Sequence, residues 1–321
     1  MKQLEMIAVK VVEVQRVTPL VKRFKLAAMD GRPLPRFTGG SHVIVQMRDG
    51  AAVYRNAYSL MSSPEDTASY EIGVRLEERS KGGSAFMHER VEVGSTLDIS
   101  VPHNLFALEQ AAPRHVLIAG GIGITPFLSQ LHELQAWGAD YTLHYGHRSP
   151  EHAAFAEELL SGPHREHVHL YADSLGQSLD VNALLASIED DAHIYVCGPV
   201  AMIDAVVDAA HKRGLPPRQV HREQFGATRG KSGAFTVVLA KTGQEISVDD
   251  NVSILQAIES QSSVQIDCLC REGVCGTCET RIVEGEAEHC DQYLSDDEKS
   301  AQKTILVCVS RAKTARLVLD L

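Results

Sequence analysis

The sequence has no long hydrophobic run: its apolar stretches reach only about five to eight residues, far short of the roughly 20 that a membrane-spanning helix requires. The basic-then-apolar opening of a secretory signal is also missing, because MKQLEMIAVKVVEVQ alternates from its start. These two absences predict a soluble, cytoplasmic protein with no membrane partner. Positive charge is in short supply. The chain carries 31 Lys and Arg against 42 Asp and Glu, a net charge of −11, which argues against a nucleic-acid partner. No low-complexity segment, internal repeat or catalytic dyad is visible. The 321 residues, 44% of them hydrophobic, suffice for two or three domains with cores of their own. An even cysteine framework is lacking as well. There are seven cysteines, six of them between Cys268 and Cys308, and in a reducing compartment such clustering favours metal or redox chemistry over disulfides.

Three rhythms follow one another along the chain. Residues 1–106 read as short alternating strands such as VKVVEV and SHVIVQM, separated by Gly31, Pro33, Pro35, Gly39-Gly40 and Asp49-Gly50. That pattern predicts an antiparallel β-barrel. Residues 107–226 alternate strand with helix. HVLIAG (115–120) leads to a helix with Thr125 as its cap, Pro126 at its first position and Gly138 as its stop. HIYVC (193–197) leads to a second helix that Pro199 opens and Gly214 ends, and YTLHYG and HVHLYAD read as further strands. This predicts a parallel α/β sheet with its ligand at the C-terminal strand ends. Gly226–Ser232 (GATRGKS) reads as a linker. Residues 232–321 then hold a hairpin (AFTVVLAKTGQEISV), a short helix around Val252–Ser260, a cysteine-rich loop and closing strands. From Ser232 onward fifteen Asp or Glu face eight Lys or Arg, so this module carries −7 of the −11.

Cys270, Cys275 and Cys278, followed by Cys308, have the C-x4-C-x2-C…C spacing of plant-type [2Fe–2S] sites. Iron in such clusters takes soft, charge-donating thiolates, and Gly273 and Gly276 let the backbone curl close enough to aim amides at the sulfurs. The competing assignment is a structural four-cysteine zinc site. Zinc ribbons use two C-x2-C knuckles, whereas the fourth cysteine here stands alone on an expected strand. A Rieske centre is excluded because no His occupies a ligand position. Cys268 and Cys290 fit no place in the spacing and read as spectator thiols.

Two further motif groups suit anions. Arg55-Asn56-Ala57-Tyr58-Ser59-Leu60 ends a strand, and Lys81-Gly82-Gly83-Ser84 opens an expected helix, where free amides and the helix dipole favour a phosphate. Gly120-Gly121-Ile122-Gly123-Ile124-Thr125-Pro126 lies at a strand-to-helix turn, and Cys197-Gly198-Pro199 repeats that geometry later, with Cys197 expected to face the cleft. Taken singly these are weak. A strand Tyr is more often core, Gly-Gly is often only a turn, and Cys197 could be a small buried apolar residue.

Their order in one chain is more specific. Arg-x-x-Tyr-Ser-Leu, Gly-Gly-Ser, Gly-Gly-Ile-Gly-Ile-Thr-Pro, Cys-Gly-Pro and the cluster cysteines occur at domain-sized spacing, and Glu223-Gln224-Phe225-Gly226 closes the first two segments. The chain closely resembles the phthalate dioxygenase reductase family, the single-chain reductases of Rieske-type oxygenases, over nearly its whole length. The resemblance implies three modules: an FMN-binding barrel (1–106), an NADH-binding α/β domain (107–226) and a C-terminal β-grasp plant-type ferredoxin domain (232–321). It implies that Arg55, Tyr58, Ser59, Leu60, Gly73, Val74 and Arg75 contact FMN, together with Lys81, Gly82, Gly83 and Ser84, while Phe225 packs near the ring. NADH is then held by Gly121, Gly123, Thr125, Cys197, Gly198 and Pro199, with Asp173 on the adenosine ribose, and the [2Fe–2S] cluster by Cys270, Cys275, Cys278 and Cys308. The chain departs from the wider ferredoxin-reductase superfamily by one extra residue between Arg55 and Tyr58.

A hydride brings two electrons together and a [2Fe–2S] cluster takes one at a time, so the flavin must stand between them. The implied enzyme is a monomer that moves electrons from NADH through FMN and the cluster to a terminal Rieske-type oxygenase. Competing assignments are a reductase for a cytochrome P450 or a soluble ferredoxin, and a non-enzymatic zinc protein. Asp173 would repel the 2′-phosphate of NADPH, whereas Arg148 would attract it.

Overall fold

The computed structural model describes residues 6–50, 52–78, 80, 82–226 and 233–321; Lys81 and most of the expected linker (227–232) lie outside them. The chain divides into two compact units, one made chiefly of residues up to Phe225 and the other chiefly of Gly226–Leu321.

In the first unit, β1 (Met6–Thr18), β2 (Val21–Ala28), β3 (Ser41–Asp49), β4 (Ala52–Ser59), β5 (Tyr70–Arg75) and β6 (Thr96–Ser100) run in the order β4-β3-β6-β1-β2-β5, and the short β7 (His103–Asn104) pairs with β3. An antiparallel bridge between Leu60, just past β4, and Ile72 of β5 joins the two ends of this order. The expected antiparallel barrel is therefore present. Its interior takes every inward residue of the alternating runs, among them Phe24, Leu26, Val43, Val45, Ile72 and Val74. Helix α1 (Gly83–Glu89) seats Met87 in the same core.

The parallel sheet of the same unit consists of β8 (His115–Gly120), β9 (Tyr141–His147), β10 (Val168–Ala172), β11 (His193–Cys197) and β12 (Val220–Glu223), in the order β10-β9-β8-β11-β12. Each of its pairings is parallel. Every residue of β8 is buried, as a central strand covered on both faces requires. Helices α2 (Thr125–Trp137), α3 (Ala156–Ser161), α4 (Val181–Ser187) and α5 (Val200–Lys212) accompany it. The strand order reverses beside β8, where open α/β sheets leave a crevice for ligands. One local expectation fails. Thr125 is not the cap of α2, because a 3₁₀ turn over Gly121–Ile124 runs straight into the helix and Ile124 already has helical dihedrals (φ −67, ψ −25). The Thr125 hydroxyl instead donates back to the Ile122 carbonyl at 3.0 Å. Gly138 ends α2 with φ +64, as expected.

The second unit holds β13 (Phe235–Leu239), β14 (Glu245–Val248), α6 (Ile254–Gln261), β15 (Glu279–Glu284), β16 (Ala287–Glu288), α7 (Asp296–Ala301), β17 (Thr304–Leu306), β18 (Arg311–Ala312) and β19 (Arg316–Leu319). Its main sheet runs β14-β13-β19-β15-β17. Only β13 and β19 pair in parallel among these described strands, and Ile254, Leu255 and Ile258 of α6 join the sheet's core. This is the expected β-grasp arrangement. Both helices begin with a capping box, Ser253 with Gln256 and Ser295 with Glu298, which satisfies amides the first turn would otherwise leave unpaired. Among the described residues no helix is long and apolar enough to cross a membrane.

Candidate functional site

Three glycines stand together at the strand ends where the order reverses. Gly120 pairs in register with Gly146, and Gly198 follows Cys197, the partner of Ala119. A Cβ on Gly198 would lie 3.0 Å from the Gly120 Cα, and one on Gly123 only 2.3 Å from the Cys197 carbonyl oxygen. The backbones meet because side chains are absent. A cavity of about 340 Å3 opens beside them, with Gly121, Pro199, Arg148 and Asp173 in its wall and Val21 and Arg75 contributed by the barrel. Gly121, Pro199 and Asp173 thus reach the cavity from the dinucleotide group. Gly123, Thr125 and Cys197 are buried, and neither they nor Gly198 line it. Asp173 accepts a hydrogen bond from the Ser178 hydroxyl at 2.7 Å, which fixes its carboxylate. Both opposed specificity candidates, Asp173 and Arg148, line the one space.

Cys197 carries a free but enclosed thiol. It is fully buried, and its Sγ lies 3.8 Å from Oε2 of Glu223, its register partner across β11 and β12. Burial pushes the Glu223 carboxyl up to about 8; burial and the adjacent Glu223 raise the thiol well above its usual range. At neutral pH the pair is therefore uncharged. Sequence reasoning saw Glu223 only as part of a closing segment. The signal that finds it is strand register, which the sequence alone does not display.

The barrel candidates occupy two strand ends. Tyr58 and Ser59 end β4 with Leu60 just past it, and Gly73, Val74 and Arg75 end β5, with the Leu60–Ile72 bridge bringing the two runs together. The Leu60 and Val74 side chains point into the barrel core. The Leu60 amide donates to Ser41 at 2.8 Å, and His88 Nε2 lies 2.9 Å from the Val74 carbonyl, so these two residues lend a ligand little beyond shape. Ser59 is different: its hydroxyl is buried and has no hydrogen-bond partner among the described residues, which suits the polar edge of a flavin ring. A Cβ on Gly73 would lie 2.9 Å from the Thr125 methyl, so the barrel candidates and the dinucleotide candidates touch. Gly82 turns with φ +109, and a Cβ there would meet the Tyr54 ring at 2.2 Å. The Ser84 hydroxyl donates to Ser80 Oγ at 2.9 Å. Ser80 Oγ in turn accepts the amides of Gly82 and Ala85 at 3.1 and 3.3 Å. Ser80 organises this loop and was missed in the sequence. Arg55 is half-buried on β4, Gly83 is the first residue of α1, and Phe225 follows β12 largely exposed.

In the second unit Cys270, Cys275, Cys278 and Cys308 are all buried. The loop that carries the first three turns through positive φ at Arg271, Gly273 and Gly276 (57, 74 and 73). A Cβ on Gly273 would sit 2.6 Å from the Val309 side chain, and one on Gly276 2.3 Å from the Tyr293 ring. Arg271 holds its left-handed backbone, worth about 1–2 kcal/mol of strain in a non-glycine residue, while its guanidinium forks onto the Glu259 carboxylate of α6 at 2.6 and 3.0 Å. The Glu272 amide donates to Cys270 Sγ at 3.3 Å, and the Thr277 hydroxyl to Cys275 Sγ at 3.2 Å. Four buried thiols with donors aimed at the sulfurs fit an iron–sulfur cluster. One expectation is corrected. Cys308 is not on a strand: it lies in the turn after β17, closed by amides of Val309 and Ser310 donating to the Leu306 carbonyl. Cys268, read from the sequence as a spectator thiol, has its Sγ close to the site: it and the Sγ atoms of Cys278 and Cys308 lie within 4.8 Å of one another. Cys290 is buried away from any ligand role, its thiol pushed up to about 11 by burial.

Comparison with known proteins agrees with this geometry. Residues 237–313 match the 2Fe-2S iron-sulfur cluster binding domain and residues 117–208 the oxidoreductase NAD-binding domain. The chain is 54% identical to the carnitine monooxygenase reductase subunit of Escherichia coli (strain K12) over 321 residues, 100% of each chain. Among solved structures it is similar to phthalate dioxygenase reductase, a modular structure for electron transfer from pyridine nucleotides to [2Fe–2S], with a TM-score of 0.75, 35% identity and 98% of each chain covered. It is also similar to an intact type IV self-sufficient cytochrome P450 monooxygenase, with a TM-score of 0.82 and 34% identity, over 98% of this chain and 41% of that longer one.

Proposed function

We propose a function that proceeds from one premise: the chain belongs to the phthalate dioxygenase reductase family. It is an NADH-dependent electron-transfer oxidoreductase of an oxygenase system, with a flavin and a [2Fe–2S] centre. Flavin and cluster together supply two-electron uptake and one-electron release. The chain's own task is positioning and exclusion of water.

In the reading we favour, the flavin is FMN, held at the ends of β4 and β5. Ser59 gives its unpartnered hydroxyl to the ring edge, Tyr58, Gly73 and Arg75 flank it, Phe225 packs near it, and Arg55 and the Ser80-organised loop of Lys81, Gly82, Gly83 and Ser84 take the phosphate. NADH lies along the cavity. Gly121, Gly123 and Gly198 allow close backbone approach, Pro199 and Thr125 shape the floor, and Asp173 accepts from the adenosine ribose and repels a 2′-phosphate. Cys197 and Glu223 form an uncharged wall beneath the nicotinamide. Cys270, Cys275, Cys278 and Cys308 hold the cluster. The protein works in the cytoplasm as a monomer.

The partner is a Rieske-type oxygenase that acts on carnitine. One observation carries this: the 54% identity to a carnitine monooxygenase reductase subunit covers 100% of both chains. The test is carnitine-dependent NADH oxidation by the purified protein with the oxygenase component of that system. Turnover supports the assignment, and none, in a preparation that still passes electrons to cytochrome c, contradicts it. The similarity to the fused P450 chain favours one second reading, service to a cytochrome P450. The same protein would then support P450 turnover and fail with the carnitine oxygenase.

A further inference from the structure

The segment that leads into the cysteine loop has a period-two pattern. Val264, Ile266 and Cys268 are partly buried and pack against the core of the second unit, while their neighbours Gln265 and Asp267 are exposed. Cys270 continues the series and is buried. A bend at Leu269 separates Cys268 from Cys270, and Cys268 packs against the core beside the site. Its sulfur, with those of Cys278 and Cys308, forms a trio whose members all lie within 4.8 Å of one another. Two thiolates on one tetrahedral metal, with metal–sulfur bonds near 2.3 Å, stand about 3.8 Å apart. Three sulfurs at that scale compete for two places on one iron.

We propose that Cys268 is a reserve ligand of the [2Fe–2S] centre, able to take the place of Cys278 or Cys308. The ordinary ligand set remains the four cysteines of the C-x4-C-x2-C…C spacing, and Cys268 waits beside it as a partly exposed free thiol. The proposal rests on the iron–sulfur assignment of this loop and extends it: five thiols serve four positions. Cys275 has no such deputy, since Cys290, the one remaining thiol of this unit, is buried and does not belong to the trio.

Alanine variants test this, because alanine cannot coordinate iron as serine can. Full-length Cys275→Ala, Cys278→Ala, Cys308→Ala and Cys268→Ala, and the doubles Cys268→Ala/Cys278→Ala and Cys268→Ala/Cys308→Ala, are purified anaerobically. Iron, acid-labile sulfide and the visible and paramagnetic resonance spectra are then measured. The account expects Cys268→Ala to match the wild type. Cys278→Ala or Cys308→Ala should keep iron within about twofold with a shifted spectrum, and the matching double should fall at least tenfold, to the level of Cys275→Ala. If Cys278→Ala and Cys308→Ala are both as empty as Cys275→Ala, there is no reserve ligand. If Cys268→Ala alone empties the site, Cys268 is an ordinary ligand and the proposal also fails. Iodoacetamide labelling of the folded protein provides a second readout. Cys268 should label in the wild type and be protected in Cys278→Ala, and equal labelling in both overturns the proposal. Wild-type protein that holds zinc and lacks iron–sulfur absorbance would instead refute the iron–sulfur assignment, which keeps the two failures apart.

Discussion

Glu223 keeps its proton at neutral pH because its half-buried carboxyl sits beside a buried thiol, with no cation beside it among the described residues. Its folded value of about 8 lies above the ordinary 4.5, so the folded state binds the extra proton across that window. Stability from this group therefore falls as pH rises from about 4.5 through about 8. Glu223→Gln, which retains shape without the charge, should lose that fall. Melting temperatures from pH 6 to 9 check it, and parallel curves for the two proteins would contradict the buried neutral carboxyl. A second prediction concerns Arg271. Its strained backbone is held while the side chain forks onto Glu259, so Glu259→Ala should release iron to a chelator several-fold faster while leaving NADH reduction of the flavin unchanged. The iron–sulfur domain was legible in the sequence because three of its cysteines follow a local spacing. Glu223, Ser80 and Glu259 were not: each acquires its role from a strand register or a loop closure that no local pattern encodes.

At the scale of elements, legibility follows burial. The central strands β8 and β11 were found at their observed bounds because a strand covered on both faces must be continuously apolar. The start of α2 was misjudged, since Thr-Pro suggests a cap whereas the chain had already begun to coil at Gly121. The approach of Gly123 to the Cys197 carbonyl joins α2's entry turn to β11 backbone against backbone. Gly123→Ala should cost about 1–3 kcal/mol, as overpacking does, and weaken NAD binding at least tenfold. Denaturant melts and NAD titration measure the two effects, and an unchanged affinity would remove the glycine contact from the site. The same sheet contains acid-sensitive groups. Burial lowers His144 and His221 to about 4 from the ordinary 6.5. Stability present above pH 6.5 is therefore lost as pH falls towards 4, the unfolded chain binding the protons first. Replacing both with Gln should flatten the acid limb of the melting curve.

At the scale of the whole chain, charge is unevenly held. The residues from Ser232 onward carry −7 of the −11, in runs such as Glu284–Glu288 and the first turn of α7. A field of that sign should steer encounter with a basic face on the oxygenase. Screening lengths shrink from ~30 Å at 0.01 M salt to ~8 Å at 0.15 M, so delivery to the partner should slow several-fold as salt rises, while flavin reduction by NADH barely changes. Delivery that is flat across a salt series would deny the acidic module a docking role.

The most direct test of the central claim is an anaerobic titration of the purified protein with NADH, followed by visible absorbance and paramagnetic resonance. A chain that carries two electrons on a flavin and one on a [2Fe–2S] centre should bleach both sets of bands, complete near about one and a half equivalents of NADH, and develop the resonance of a reduced cluster. Flavin bands that bleach while the iron–sulfur absorbance stays unchanged, or a preparation with no iron–sulfur absorbance at all, would contradict it.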